Sequence, residues 1–130
     1  MSFSRTTVTG SIVSGAIVSS VAFTGFAYAQ EAPRSFVASP DIYRLVGQRD
    51  QCLVIEATWA PGQRDRFHSH ARGAIYWLTA CKTRGFLPDG RSRDRAIRAG
   101  TYSVIGKPVL SHSVKNIGGS ECKAVVFEHK

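Results

Sequence analysis

The sequence predicts an all-β sandwich or barrel, and three observations carry that prediction. Short runs rich in Val, Ile, Tyr, Trp and Thr recur along the chain. Turn chemistry separates them at regular intervals. No segment sustains the 3.6-residue apolar period of a helix. The first run, Cys52 to Trp59, stops at Pro61-Gly62. A second spans Ala74 to Cys81, and a third Thr83 to Leu87 ends at the hairpin signal Pro88-Asp89-Gly90. Arg93 to Arg98 alternates until Ala99-Gly100 turns the chain. Tyr102 to Ile105 ends at Gly106-Lys107-Pro108. Val109 to Ile117 meets the turn at Gly118-Gly119, and Cys122 to Glu128 forms the last run.

The first 29 residues read differently. Arg5 precedes an apolar, small-residue stretch from about Ile12 to Phe26, and Ala27-Tyr28-Ala29 has the A-x-A form of a signal-peptidase site. Ser, Thr and Gly dilute the stretch below what a spanning helix needs. The expected organisation is therefore a cleavable signal peptide over 1–29, an N-terminal arm over 30–50 and a β-barrel domain over 51–130. The arm would carry a short strand or helical turn around Asp41–Val46. The product would be periplasmic or secreted after cleavage near Ala29, with no stable membrane insertion.

The net charge of the whole chain is +8. Removal of 1–29 takes away only Arg5, which leaves 16 Lys and Arg against 9 acids, or +7. Acids interrupt the arginines at Asp65, Asp89 and Asp94, so the expected reading is a solvated strand face and not a nucleic-acid surface. If Arg91, Arg93 and Arg95 instead bound anionic membranes, retention would be salt-sensitive. Three cysteines are an odd number for an exported protein. Cys52 and Cys122 each open a strand-like run, and could pair if those strands are neighbours, leaving Cys81 alone. The alternative is three buried small hydrophobes.

Chemistry concentrates in the histidines. Of four, His68 and His70 form a His-x-His pair, and His112 follows on a later strand with Asn116 beyond it. On a strand, His-x-His puts both imidazoles on one face. A third imidazole from a distant strand would complete a three-nitrogen face for a divalent metal, with positions left for water or substrate. Imidazole suits several ions, so Fe, Zn, Mn, Ni and Cu are all candidates.

These residues carry a family resemblance. Pro61-Gly62, five residues, then His68-Ser69-His70 resembles the first half of the first cupin motif. Gly100, Gly106-Lys107-Pro108, His112 and Asn116 resemble the second, with Pro88-Asp89-Gly90 in the region between. The likeness covers Cys52–Glu128 and is strongest to small, single-domain bacterial cupins. It implies a jelly-roll β-barrel with a metal site inside one mouth, and dioxygenase or isomerase chemistry on a small molecule. Two departures stand out. Ala74 and Ile75 occupy the place of the first motif's Glu, with Cys81 near its closing Gly, and Leu110 lies near the usual Gly of the second. The implied ligand set is thus His68, His70 and His112, an arrangement similar to that of some cupin-like dioxygenases.

Other residues have lesser expected roles. Tyr76, in phase with His70 if no bulge intervenes, would offer a hydroxyl to a ligand or fill the core. Asn116 would orient a turn or a ligand histidine. Trp59 and Phe67 read as core. Glu56 would face solvent or replace the lost carboxylate. His129 reads as uninvolved. The sequence lacks a phosphate loop, a nucleophile elbow and a closely spaced Cys pair. The expected partner is a small molecule, and a homodimer is expected because symmetric dimers are the commonest oligomers. The alternative function is a non-catalytic ligand-binding or stress-related cupin module that has lost its metal.

Overall fold

Period-two alternation of buried and exposed residues builds two facing sheets. The computed structural model describes residues 30–130; the expected signal peptide and its cleavage site lie outside the described residues. A one-turn helix α1 (Ser35–Ala38) precedes β1 (Tyr43–Arg49), β2 (Cys52–Trp59), β3 (His68–His70), β4 (Gly73–Trp77) and β5 (Cys81–Phe86). Then come β6 (Ser92–Ile97), β7 (Tyr102–Ile105), β8 (Val109–Asn116) and β9 (Cys122–His129). One sheet has the order β1-β2-β9-β4-β7 and the other β3-β8-β5-β6. The paired strands are antiparallel. No helix among the described residues is long and apolar enough to cross a membrane.

The core lies between the sheets. Leu53, Ile55, Ala57 and Trp59 point inward from β2, and Ala124 and Val126 from its neighbour β9. Trp77 of β4 stacks near Trp59, with ring centroids 6.4 Å apart. Each large side chain so buried contributes roughly 1.5–3 kcal/mol by its removal from water.

The strand expectations hold at β2 and β7, and nearly so at β6, β8 and β9. The run expected over Ala74 to Cys81 is two strands. β4 ends at Trp77, and Cys81 starts β5 in the opposite sheet. The segment expected as an arm also contributes more than an arm, since Tyr43–Arg49 pairs along β2 as a strand of the barrel. Ahead of it, Ala32 N–H donates to Leu110 O and Ser69 N–H to Pro33 O, which straps this segment across β8 and β3.

The cysteines differ from expectation. The disulfide joins Cys81 and Cys122, with Cα atoms 5.3 Å apart, and Cys52 is free and exposed. β2 and β9 are indeed neighbours, but they run antiparallel. Cys52 faces His129 and Cys122 faces Trp59, at opposite ends of the pair. Seven residues at about 3.3 Å each separate the two thiols along the strands, far beyond disulfide reach. The turn before β5 brings Cys81 to the start of β9 instead.

Candidate metal centre

His68 and His112 are direct cross-strand partners on β3 and β8. This pairing delivers the distant imidazole to the His-x-His pair. The register shifts between His68 and His70, where β8 carries one extra residue against β3. His68, His70 and His112 converge, with one ring nitrogen of each within 4.8 Å of the others. Ring centroids are 4.7 Å apart for His68–His70, 4.5 Å for His68–His112 and 5.0 Å for His70–His112. His68 is fully buried and His70 nearly so.

The partners of the outer nitrogens settle the roles of the inner ones. His68 Nδ1 lies 2.8 Å from Arg66 O, an atom that only accepts. His70 Nδ1 donates to Glu128 Oε1. With Nδ1 so engaged, each ring turns its Nε2 to the centre, and in the neutral form that nitrogen is a free ligand atom. Those two Nε2 atoms lie 3.0 Å apart. Two lone pairs facing at that distance are relieved either by a shared proton or by a metal ion between them. Imidazoles on one tetrahedral ion at 2.0–2.1 Å would have nitrogens about 3.3 Å apart. The third ring completes the case, because His112 Nε2 is buried with no hydrogen-bond partner in the described structure. The residues present thus fit a divalent ion.

Electrostatics favour neutral, ligating imidazoles. Burial lowers the His68 pKa, outweighing the nearby Asp65 carboxylate. His112 is pushed down to about 3, first by burial and then by the neighbouring His68 and His70.

Two buried acids support the histidines, and the sequence reading missed both. Glu128 is 2% exposed. Burial works against its charge, but the His70 hydrogen bond and the Arg34 ion pair outweigh this and hold the carboxyl below its usual range. Its signal was legible: Cys122, Ala124, Val126 and Glu128 share the inward phase of β9. Asp65 accepts from Tyr43 Oη at 2.8 Å, Trp59 Nε1 at 3.1 Å and Val114 N at 2.6 Å. Tyr43 Oη also lies 3.3 Å from His68 Nε2. Burial, and then the Asp65 charge, raise the Tyr43 hydroxyl well above the usual phenol range. Such carboxylate and backbone partners fix the tautomer and orientation of ligand histidines.

Other expectations need correction. Tyr76 does not face the centre; it lies 43% exposed on the outer side of β4, while Trp77 points inward. The phase from His70 is lost because the chain leaves one sheet after His70 and enters the other at Gly73. Asn116 touches no histidine. Its Nδ2 donates to Trp59 O and Ser120 O, and its Oδ1 accepts from Gly118 N. It fastens the turn after β8, four residues and about 13 Å of strand from His112. Phe67 is 38% exposed, with Arg64 over its ring, and is not core. Glu56 is outward on β2 and pairs with Arg44, so it does not replace the motif carboxylate. His129 stays outside the centre.

Between the sheets a cavity of about 480 Å³ opens onto His70 and His112. Its walls include Tyr43, Trp59, Ile75 and Trp77 on one side and Thr83 and Val114 on the other. That size and mostly apolar lining suit a small organic ligand. Arg91, Arg93 and Arg95 also line it. The arginines of β6 are solvated as expected, but they include residues on the cavity side.

No protein-family model matches the chain, and none of the curated proteins searched matches it. Solved structures do match. A cupin-domain protein from Bordetella pertussis Tohama I superposes with a TM-score of 0.62 at 20% identity, covering 78% of this chain and 98% of that one. A cupin-superfamily protein from Desulfitobacterium hafniense DCB-2 gives 0.50 at 10% identity, over 68% and 75%. The polyketide cyclase RemF from Streptomyces resistomycificus gives 0.50 at 22% identity, over 67% and 63%. At such identities the likeness concerns architecture. With two antiparallel sheets and three histidines meeting between them, the chain has the small all-β fold of the cupins, a jelly-roll barrel.

Proposed function

We propose that this chain is an exported cupin-type protein that binds one divalent metal through His68, His70 and His112 and takes a small organic molecule in the adjoining cavity. The observation that carries this reading is the convergence of three imidazole nitrogens within 4.8 Å, with His112 Nε2 buried and without a hydrogen-bond partner among the described residues. Imidazole ligands suit Fe, Zn, Ni and Cu, and Mn, which favours oxygen ligands, fits this all-nitrogen set least well. A bound ion of this kind supplies Lewis acidity, or a site for dioxygen, to the molecule in the cavity. The protein's own part is to hold His68 through Arg66 O and Asp65 and His70 through Glu128, to bring His112 beside them by strand pairing, and to line the cavity with apolar walls. The resemblance favours dioxygenase or isomerase chemistry, and the cyclase of similar architecture widens the choice to ring-forming reactions.

Export is supported by the A-x-A site after the apolar stretch and by the Cys81–Cys122 disulfide, since such bonds persist in oxidising compartments. A homodimer is supported by the apolar outer face around Tyr102 and Val104, which are 73% and 70% exposed. A second reading, ligand binding without turnover, is favoured by one observation: the residues lining the cavity include no carboxylate to act as a base.

Cobalt(II) titration of chelator-treated protein tests the proposal. Ligand-field bands should saturate at one equivalent and shift when azide is added, because positions on the ion remain open. Absence of bands, or bands unchanged in a folded His68→Ala/His112→Ala variant, would contradict it.

A further inference from the structure

We propose that the ligand of this cavity is an organic anion, with an apolar, ring-sized body between the sheets and a carboxylate held at the mouth by Arg93 and Arg95. The proposal rests on reading the cavity as the ligand site, and it adds the chemical class of what enters.

The β5–β6 register carries the argument. Cys81 faces Ile97, Thr83 faces Arg95 and Gly85 faces Arg93. Cys81 and Thr83 are buried between the sheets, so Arg93, Arg95 and Ile97 share the inward face of β6. The outward face of the same hairpin carries its own neutral pair, Arg84 with Asp94 at 2.6 Å. The strand thus carries its acid on the outward phase and two arginines, both exposed at the rim, on the cavity side. Neither Arg93 nor Arg95 has an acidic partner among the described residues; Arg95 Nη2 only reaches Ser103 Oγ across the mouth, at 3.5 Å. The neighbouring Arg91, by contrast, is occupied by Asp89.

The wall beside these arginines is shaped for an incoming group. Gly85, opposite Arg93, presents no side chain, and a Cβ there would meet nothing closer than Arg93 O at 3.9 Å. On the opposite sheet the cavity is walled by the buried Trp59 and Trp77. An apolar floor beneath two unpaired, fork-shaped donors matches a molecule with an apolar body and a carboxylate end. The competing explanation is that inward charges on an edge strand merely discourage edge-to-edge pairing. That explanation gives the arginines no role in ligand choice.

Calorimetry with three isosteric probes separates the two: 3-phenylpropanoate, 3-phenylpropan-1-ol and 3-phenylpropylammonium. Each is measured on metal-loaded and on chelator-treated protein, and metal content is determined on the same samples. The expected result is about tenfold tighter binding of the carboxylate than of the alcohol, with the ammonium weakest, in both forms. In Arg93→Gln/Arg95→Gln the carboxylate should fall to within about twofold of the alcohol, while the alcohol is unchanged. Arg93→Lys/Arg95→Lys should keep part of the preference and serves if the Gln variant folds poorly. A carboxylate preference that is absent from the parent, or that is undiminished in Arg93→Gln/Arg95→Gln or, if that variant does not fold, in Arg93→Lys/Arg95→Lys, overturns the proposal. Parent protein that holds no metal yet shows the arginine-dependent preference would sink the metal reading alone.

Discussion

Removing the metal should make stability steeply dependent on mild acid, and the size of the effect follows from His112. Its pKa is near 6.5 when free and is lowered to about 3 by burial beside His68 and His70. Between those values the unfolded chain binds a proton that the folded chain does not, so folding weakens as pH falls. Over the step from about pH 7.5 to about pH 5, His112 alone costs about 2 kcal/mol, at 2.303RT per unit below the free pKa. His68, also lowered, adds in the same direction. Glu128 acts elsewhere: its depressed pKa gives stability that is lost only as pH falls through its folded value, below this window. Urea titrations of chelator-treated protein at the two pH values, beside His112→Gln, read the effect directly. The parent should lose about 2 kcal/mol or more, and the variant should lose about 2 kcal/mol less than the parent. Equal stability of the parent at both pH values, or an unchanged slope in the variant, would refute the assignment of a neutral, half-buried His112.

Two further outcomes follow from the surroundings of the centre. Glu128→Gln leaves an acceptor for His70 Nδ1 but removes the charge that Arg34 and His70 share. Metal affinity in a chelator competition should drop about 10- to 100-fold with the fold intact, and an unchanged affinity would show that Glu128 does not tune the ligand. The Cys81–Cys122 bond spans 41 residues of sequence, so Cys81→Ser/Cys122→Ser should lower unfolding free energy by about 4 kcal/mol on loop entropy. A urea midpoint close to the parent's would contradict that disulfide.

Much of this molecule was legible before folding because two kinds of signal are local. Asp89-Gly90 marks the β5–β6 hairpin and Ala99-Gly100 the turn that carries the chain from one sheet to the other, and Gly90 and Gly100 indeed adopt positive φ. His-x-His declares a shared face by itself. The misreadings at Tyr76 and at Cys52 concern what sequence does not encode locally, namely where the chain changes sheets and which ends of two strands meet. The β6 arginines fall between the two cases. Their alternation was visible, but which phase faces inward depends on pairing with Thr83 and Gly85 across the hairpin. Glu128 was readable from the inward phase of β9, yet its partners Arg34 and His70 come from distant parts of the chain. The first motif's own stretch, Ala74 and Ile75, carries no sign of it.

The central claim is that His68, His70 and His112 hold a metal, and metal content tests it most directly. The protein should be produced with its own residues 1–29, purified without a histidine tag or chelator, and compared with a folded His68→Ala/His112→Ala variant. The account predicts close to one divalent ion per chain in the parent and loss of it in the variant. No metal in either folded protein, even after incubation with each of Fe(II), Zn(II), Mn(II), Ni(II) and Cu(II), would contradict it.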